Sequence, residues 1–437
     1  MSQAVNYEIE GSVGVITVDN PPVNALSLEV RKGLLEAVSA APDDASEALV
    51  IICSGRTFIA GADITEFGKP PMEPFLPDLL NTVEASRKIV VAAIHGTALG
   101  GGLETALAAH YRCALESAQV GLPEVKLGLL PGAGGTQRAP RLAGVKAALD
   151  LITSGNPIGA PAALELGLID KIVEGELRAE AIAWARELHT QGATVRRSSE
   201  QPVPDFDAGI FDSYRATLAR RAKGQVAPQH IVACVEAATN RSFEEGLNVE
   251  RELFLDCMKS TQSAAMRHLF FAERQAAKID DLPKDTPMRP VKSVGIIGGG
   301  TMGGGIAMSF ANAGIPVTLI EINDEALARG LAIVDRNYGA SVKRGKLAAE
   351  KASQCRELIS GSTDYASLSE VDLVIEAVFE DPELKKTIFA RLDEACKPGA
   401  ILATNTSYQD VNEIAAATKR PEDVIGLHFF SPANIMK

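Results

Sequence analysis

The apolar runs VGVITVD (13–19), ALVIICS (48–54) and KIVVAAIHG (88–96) are rich in β-branched residues and alternate with helix-like stretches such as SLEVRKGLLEAVSAA (27–41). Strand-length apolar runs separated by amphipathic segments predict an α/β unit. From about residue 179 to 280 the pattern turns almost wholly helical, through AEAIAWARELHTQG, FDSYRATLARRAKG and SFEEGLNVERELFLDCMKSTQSAAMRHLFFAERQAAK. In the last of these, Phe243, Leu247, Leu253, Phe254 and Met258 form an apolar stripe that predicts core packing. The stretch KIDDLPKDTPMRP then sets three prolines among charges, just before the strand-like VKSVGIIG. Proline and charge at that density mark a linker. The expected organisation is therefore 1–178, a helical extension and linker over 179–290, and a second α/β domain over 291–437.

Composition narrows the class. A chain of 437 residues exceeds one ordinary core, so two or three domains are expected. Hydrophobic residues at 46% and charged ones at 23% are ordinary for a globular protein. No apolar run reaches the ~20 residues of a membrane span, and MSQAVNYEIEG lacks the basic start and apolar core of a secretory signal, so an intracellular enzyme is expected. The six cysteines are scattered without a C-x-x-C pair, which predicts reduced thiols and no bound metal. A net charge of −13 argues against nucleic acid as a partner. The oligomeric state stays open, a monomer being compatible with the sequence.

The first unit carries an oddly placed charge. In ALGGGLETAL (98–107) the lone ionisable side chain, Glu104, stands among Leu103, Ala106 and Leu107. Desolvation makes such a carboxylate costly unless something uses it. A second, Glu124, lies in QVGLPEVKLGLLPGAGGTQR, and RTFIAGADI supplies a further glycine loop upstream. FxAGADI, ALGGGLE and GLPEVKLGLLPGAGGTQR, in this order, resemble the enoyl-CoA hydratase/isomerase (crotonase) family over roughly residues 5 to 175. The resemblance implies a ββα superhelix, a coenzyme A thioester as substrate, and the amides of Ala60 and Gly101 as an oxyanion hole for the enolate-like intermediate. It implies Glu104 as the base that orients water and Glu124 as the proton donor to C2. With no water held, Glu124 alone could move a proton between C2 and C4, which is double-bond isomerisation. Asp63 is read as a support of its own loop. PGAGGTQR (131–138) lacks the G-K-[ST] of a phosphate loop and is read as a structural turn.

The second unit opens with VKSVGIIGGGTMGGGIAMSFANAGIPVTLIE (291–321). Gly298, Gly300 and Gly303 lie between a strand and a helix whose first residues include Thr301 and Met302, and a second strand ends on Glu321. That context is what a dinucleotide fingerprint requires, with the acid directed to the ribose hydroxyls; it favours NAD over NADP. VDLVIEAVFEDPELKK, AILATNTS and DVIGLHFFSP further resemble the NAD-binding domain of 3-hydroxyacyl-CoA dehydrogenases. By that resemblance Ala377, Glu380 and Lys385 line the cofactor side, Ser407 contacts the hydroxyl or carbonyl, and His428 is the general base. Ser431 stands where many single-function members carry Asn.

Together the fold class expected is α/β: a crotonase-type superhelix with C-terminal helices, followed by a Rossmann-like NAD-binding domain. The combination resembles the multifunctional enzymes of fatty-acid β-oxidation, in which hydration of an enoyl-CoA supplies the 3-hydroxyacyl-CoA that is next oxidised. That resemblance implies the cytoplasm for a bacterial source and the peroxisome for a eukaryotic one. The dehydrogenase pattern also has a glutamate twelve residues past the histidine, here position 440, and a closing helical domain, whereas the sequence ends at Lys437. A truncated form with weak or no dehydrogenation is the expectation. Two alternatives stand beside these readings: a hydratase whose Rossmann part is only an appendage, and a catalytically silent acyl-CoA or NAD binding module.

Overall fold

The computed structural model describes residues 4–436 except 67, 71 and 284. Two compact units appear, Met1–Asp280 and Asp281–Lys437. The helices expected as an extension thus belong to the first unit. Ala227–Asn240 and Phe243–Lys259 both pack on Gly135–Ser154, and Leu218, Ile231, Val235 and Cys257 are buried in the same core as Leu103 and Leu107.

In the first unit a six-stranded sheet runs Val5–Glu10, Val13–Val18, Ala48–Cys53, Ile89–Ile94, Tyr111–Leu115, Lys171–Val173 in spatial order. Its first pair is antiparallel and the rest are parallel. The central strands Ala48–Cys53 and Ile89–Ile94 are buried along their whole length, which explains why they read as continuous apolar runs. A second, three-stranded sheet of Thr97–Leu99, Gln119–Gly121 and Ile158–Gly159 carries the chain into the glycine-rich helix Gly101–Ala108. Every residue of that helix is buried. At Gly102 an added Cβ would come within 2.0 Å of the Ile59 carbonyl oxygen, so the helix must be bare there to reach the 56–64 loop.

The helical end of this unit is punctuated by caps. Ser242 and Glu245 form a reciprocal capping box that starts Phe243–Lys259. Ser260 ends that helix and caps Thr261–Ala276, accepting from the Ser263 amide at 3.0 Å. What reads in sequence as one long helical segment is therefore two helices.

The second unit is a parallel sheet in the order Ile359–Ser362, Val317–Ile320, Val294–Ile297, Leu373–Glu376, Ile401–Thr404, Val424–Gly426. Numbered along the chain this is 3-2-1-4-5-6, the doubly wound order. Strand order reverses beside Val294–Ile297, and the carboxyl end of that strand carries the glycine turn. Among the described residues no helix is long and apolar enough to cross a membrane.

Candidate active sites

Glu104 is held from the first turn of Gly101–Ala108, at 2% exposure. Its Oε1 accepts from the amides of Ala133 and Gly135 at 2.8 and 2.9 Å. Burial pushes its carboxyl up, and these two amides together with the charge of Arg138 partly offset that push. Glu124 sits on the short 3-10 turn Pro123–Leu127. Its Oε1 faces Gly100, where an added Cβ would lie 2.8 Å away, and its buried Oε2 has no hydrogen-bond partner among the described residues. Burial first, and then the neighbouring carboxylate of Glu104, push the Glu124 carboxyl well above the ordinary range. One of two adjacent carboxyls is thereby poised to keep a proton and the other to give it up, the arrangement an acid–base pair needs.

The oxyanion hole needs a correction. The Ala60 amide donates to the Val23 carbonyl at 3.1 Å, so it is committed to the loop's own structure. The Ala62 amide lies beside Gly101 instead, 3.7 Å from where a Cβ on that glycine would be. Ala62 forms a parallel bridge with Leu26 in which Leu26 donates to the Gly61 carbonyl. That bridge turns the Ala62 amide away from the ladder. Gly101 is the first residue of its helix, where amides lack intrahelical partners and the dipole favours negative charge. Ala62, not Ala60, therefore supplies the amide that lies beside Gly101. Asp63 supports its loop as expected, accepting from the Thr65 amide at 2.9 Å.

A third buried carboxylate escaped the sequence reading. Glu250, on Phe243–Lys259, accepts from the Gly134 amide at 2.6 Å and the Thr136 amide at 3.0 Å. Its signal was present: Glu250 falls on the helical face of Leu247 and Phe254, the same oddity that singles out Glu104. Burial and then the Glu104 charge raise its carboxyl to about 8.

In the second unit Gly298, at φ +96, makes the turn after Val294–Ile297. A Cβ on Gly303 would come 1.7 Å from the Gly298 carbonyl oxygen, whereas one on Gly300 would meet nothing within 4 Å. The loop is thus closed behind and open in front, and the helix Thr301–Asn312 begins there, with half-buried Met302 packed on the core. Glu321 follows the strand Val317–Ile320 directly, half-buried, and accepts from the Gly299 amide at 2.6 Å and the Ile322 amide at 3.0 Å. An open glycine cradle at a helix start with an acid one strand away fits a dinucleotide.

Ala377 follows the next strand, its amide donating to the Ile297 carbonyl at 2.9 Å. Lys385 does not line the cofactor side. It is 1% exposed, and its ammonium bonds both oxygens of buried Glu376 at 2.7 and 2.9 Å and reaches Glu380 at 3.5 Å. A buried ammonium must be paired, and these carboxylates pair it. Glu380 in turn accepts from the Ser407 amide at 2.8 Å and the Thr406 hydroxyl at 3.0 Å. Burial works against its charge, but the Ser407 amide, the Thr406 hydroxyl and Lys385 outweigh it and hold the carboxyl below the usual range. Ser407 Oγ stands 3.2 Å from His428 Nε2, and Phe430 packs against the imidazole with ring centres 5.4 Å apart. The structure brings together the two residues that the sequence left twenty-one positions apart.

Residues 8–205 match the family described as enoyl-CoA hydratase/isomerase, and residues 293–437 match the NAD binding domain of 3-hydroxyacyl-CoA dehydrogenase. The two matches lie in that order along the chain. The peroxisomal bifunctional enzyme of Cavia porcellus is 45% identical over 442 residues, covering 98% of this chain and 60% of its own length. The Homo sapiens protein of the same name is 43% identical over 438 residues with the same coverage. The crystal structure of a 3-hydroxybutyryl-CoA dehydrogenase from Escherichia coli is 45% identical over 34% of this chain and 31% of its own, with a TM-score of 0.33. The chain spans 60% of the length of these two curated relatives.

Proposed function

We propose that the first unit hydrates a trans-2-enoyl-CoA to the 3-hydroxyacyl-CoA. The observation that carries this reading is the pair Glu104 and Glu124, two buried carboxyls with raised but unequal proton affinity, set beside the amides of Ala62 and Gly101. Those amides would hold the thioester oxygen as charge develops on it; donors of this kind are worth about 3 kcal/mol each. Glu104 has Oε1 committed to two amides, which leaves Oε2 to orient the attacking water and take its proton. Glu124 delivers a proton to C2. The same carboxyl, with an unpartnered oxygen, could carry a proton between C2 and C4, so isomerisation is the second activity proposed for this site.

For the second unit we propose oxidation of the 3-hydroxyacyl-CoA with NAD. Held there, NAD would supply the acceptor for the hydride that leaves C3. Gly298, Gly300, Thr301, Gly303 and Glu321 would hold the dinucleotide, His428 would take the hydroxyl proton, and Ser407 would hold that hydroxyl against the imidazole. Ala377 and Glu380 would bound the cofactor side, with Lys385 acting behind them. The expected weak or absent dehydrogenation finds no support in the relatives, which are named bifunctional enzymes. The relatives' name, peroxisomal bifunctional enzyme, supports the peroxisome for this chain if its source is eukaryotic; a bacterial source would place it in the cytoplasm.

Loss of the enoyl ultraviolet absorbance on adding the protein, followed by NADH formation once NAD is supplied, is the test. An unchanged enoyl spectrum overturns the hydratase reading. Hydration without NADH formation from authentic 3-hydroxybutyryl-CoA overturns the second.

A further inference from the structure

Four consecutive amides, from Ala133 to Thr136, are divided between two carboxylates. Those of Ala133 and Gly135 go to Glu104 Oε1, and those of Gly134 and Thr136 go to Glu250. Amides that alternate in direction along a segment leave it held from both sides, so neither carboxylate's grip can shift without the other's. Glu250 comes from 114 residues further along the chain than Thr136, on a helix outside every hydratase motif. The grip is reinforced. The Thr136 hydroxyl donates to Glu250 Oε2 and accepts from Gln137 Nε2 at 2.9 Å. Phe254 lies against Gly132 and Leu247 against Gly134, with room for neither glycine to carry a Cβ without crowding.

We propose that Glu250 is a positioning residue for hydration: by clamping the Gly134 and Thr136 amides it turns the Ala133 and Gly135 amides onto Glu104. The inference rests on the hydratase reading above. An ordinary helix-capping role, Glu250 standing in for the side chain that Gly134 lacks at the start of Gly135–Ser154, is the competing explanation. The two differ in what they predict. A cap contributes stability wherever the reaction stands, whereas a clamp acts on rate through Glu104 alone.

Crotonyl-CoA hydration by the full chain separates them. Glu250→Ala should lower kcat by about 100-fold, the scale of a misplaced catalytic group, with KM near the native value. Glu250→Gln, which restores one accepting oxygen, should recover part of that loss. Added to Glu104→Gln, either substitution should cost nothing more, because residues that act as one unit are not additive. Equal fold-losses in the native and Glu104→Gln backgrounds would overturn the proposal, as would native kcat in both Glu250 variants. A native chain that fails to hydrate crotonyl-CoA would instead bring down the hydratase reading, and the clamp with it.

Discussion

Glu104 and Glu124 are the same residue type, the first buried and the second half-buried, in different surroundings. Glu104 has two amides and Arg138 to offset its burial, while Glu124 has the Glu104 charge adding to its burial. Of the two, Glu124 is the one whose surroundings favour the protonated form more strongly. Glu104→Gln and Glu124→Gln should each lower hydration kcat by ~10² or more with the fold intact, at the scale of general acid–base catalysis, and near-native turnover by either would remove the assignment. For isomerisation Glu124→Gln should be the more damaging of the two. The pH dependence has a definite sign: the donor must be protonated, its affinity is raised, so hydration should persist through neutral pH and fall on the alkaline side as Glu124 ionises. A kcat profile rising into alkaline pH would mean the proton sits elsewhere. At this scale the sequence shows which carboxylates are out of place, because apolar neighbours are visible in one dimension. It does not show which amide of AGAD is free. That depends on the Val23 carbonyl taking Ala60 and on the Leu26 bridge at Ala62, neither of which any local pattern encodes.

Helices placed close to loops do much of the positioning, and glycine permits it. Thr301–Asn312 approaches the turn before it so closely that Gly303→Ala would put a Cβ on the Gly298 carbonyl oxygen. Overpacking of this kind costs about 1–3 kcal/mol, and here it also displaces the cradle. Gly303→Ala should therefore lower the thermal stability of the second unit and abolish NAD binding by titration calorimetry; native affinity would show that the helix start is not the cofactor's seat. Gly300→Ala, with open space around it, should leave stability unchanged and weaken only binding. The strand–glycine–helix–strand order was legible because each element announces itself over a few residues. The packing of Phe243–Lys259 onto the 131–136 segment was not: its apolar stripe predicts burial, but a stripe names no partner, and Glu250 became interpretable only once Gly134 and Thr136 stood opposite it. Lys385 was misplaced for a related reason. The resemblance placed it by motif alone, and motif spacing does not show that Glu376 and Glu380 pair its ammonium in the interior.

On the scale of the molecule the two units bury separate cores. Among the described residues the apolar clusters of the first contain nothing beyond Met258, and those of the second nothing before Val291. The buried carboxylates make the first unit's stability depend on pH. Glu250 is raised in the folded state to about 8, so the folded chain holds a proton that the unfolded chain releases in the ordinary carboxylate range. Stability from this source is complete at acid pH, declines as pH rises toward about 8, and is then lost; Glu250→Gln should flatten that decline in melting experiments. Ligands should act just as locally. A ligand bound only by the native state stabilises by about 2.7 kcal/mol at a hundred times its Kd, which corresponds to several degrees for a domain of this size. NAD should therefore raise the unfolding transition of residues 281–437 and leave the other in place, and a 3-hydroxyacyl-CoA bound in the hydratase site should raise the transition of residues 1–280. NADP, repelled by Glu321, should do less than NAD at equal concentration. Calorimetric scans with each ligand decide it: a single transition that every ligand moves alike would mean that the separate cores do not make separate folding units, and a larger shift with NADP would overturn the role given to Glu321.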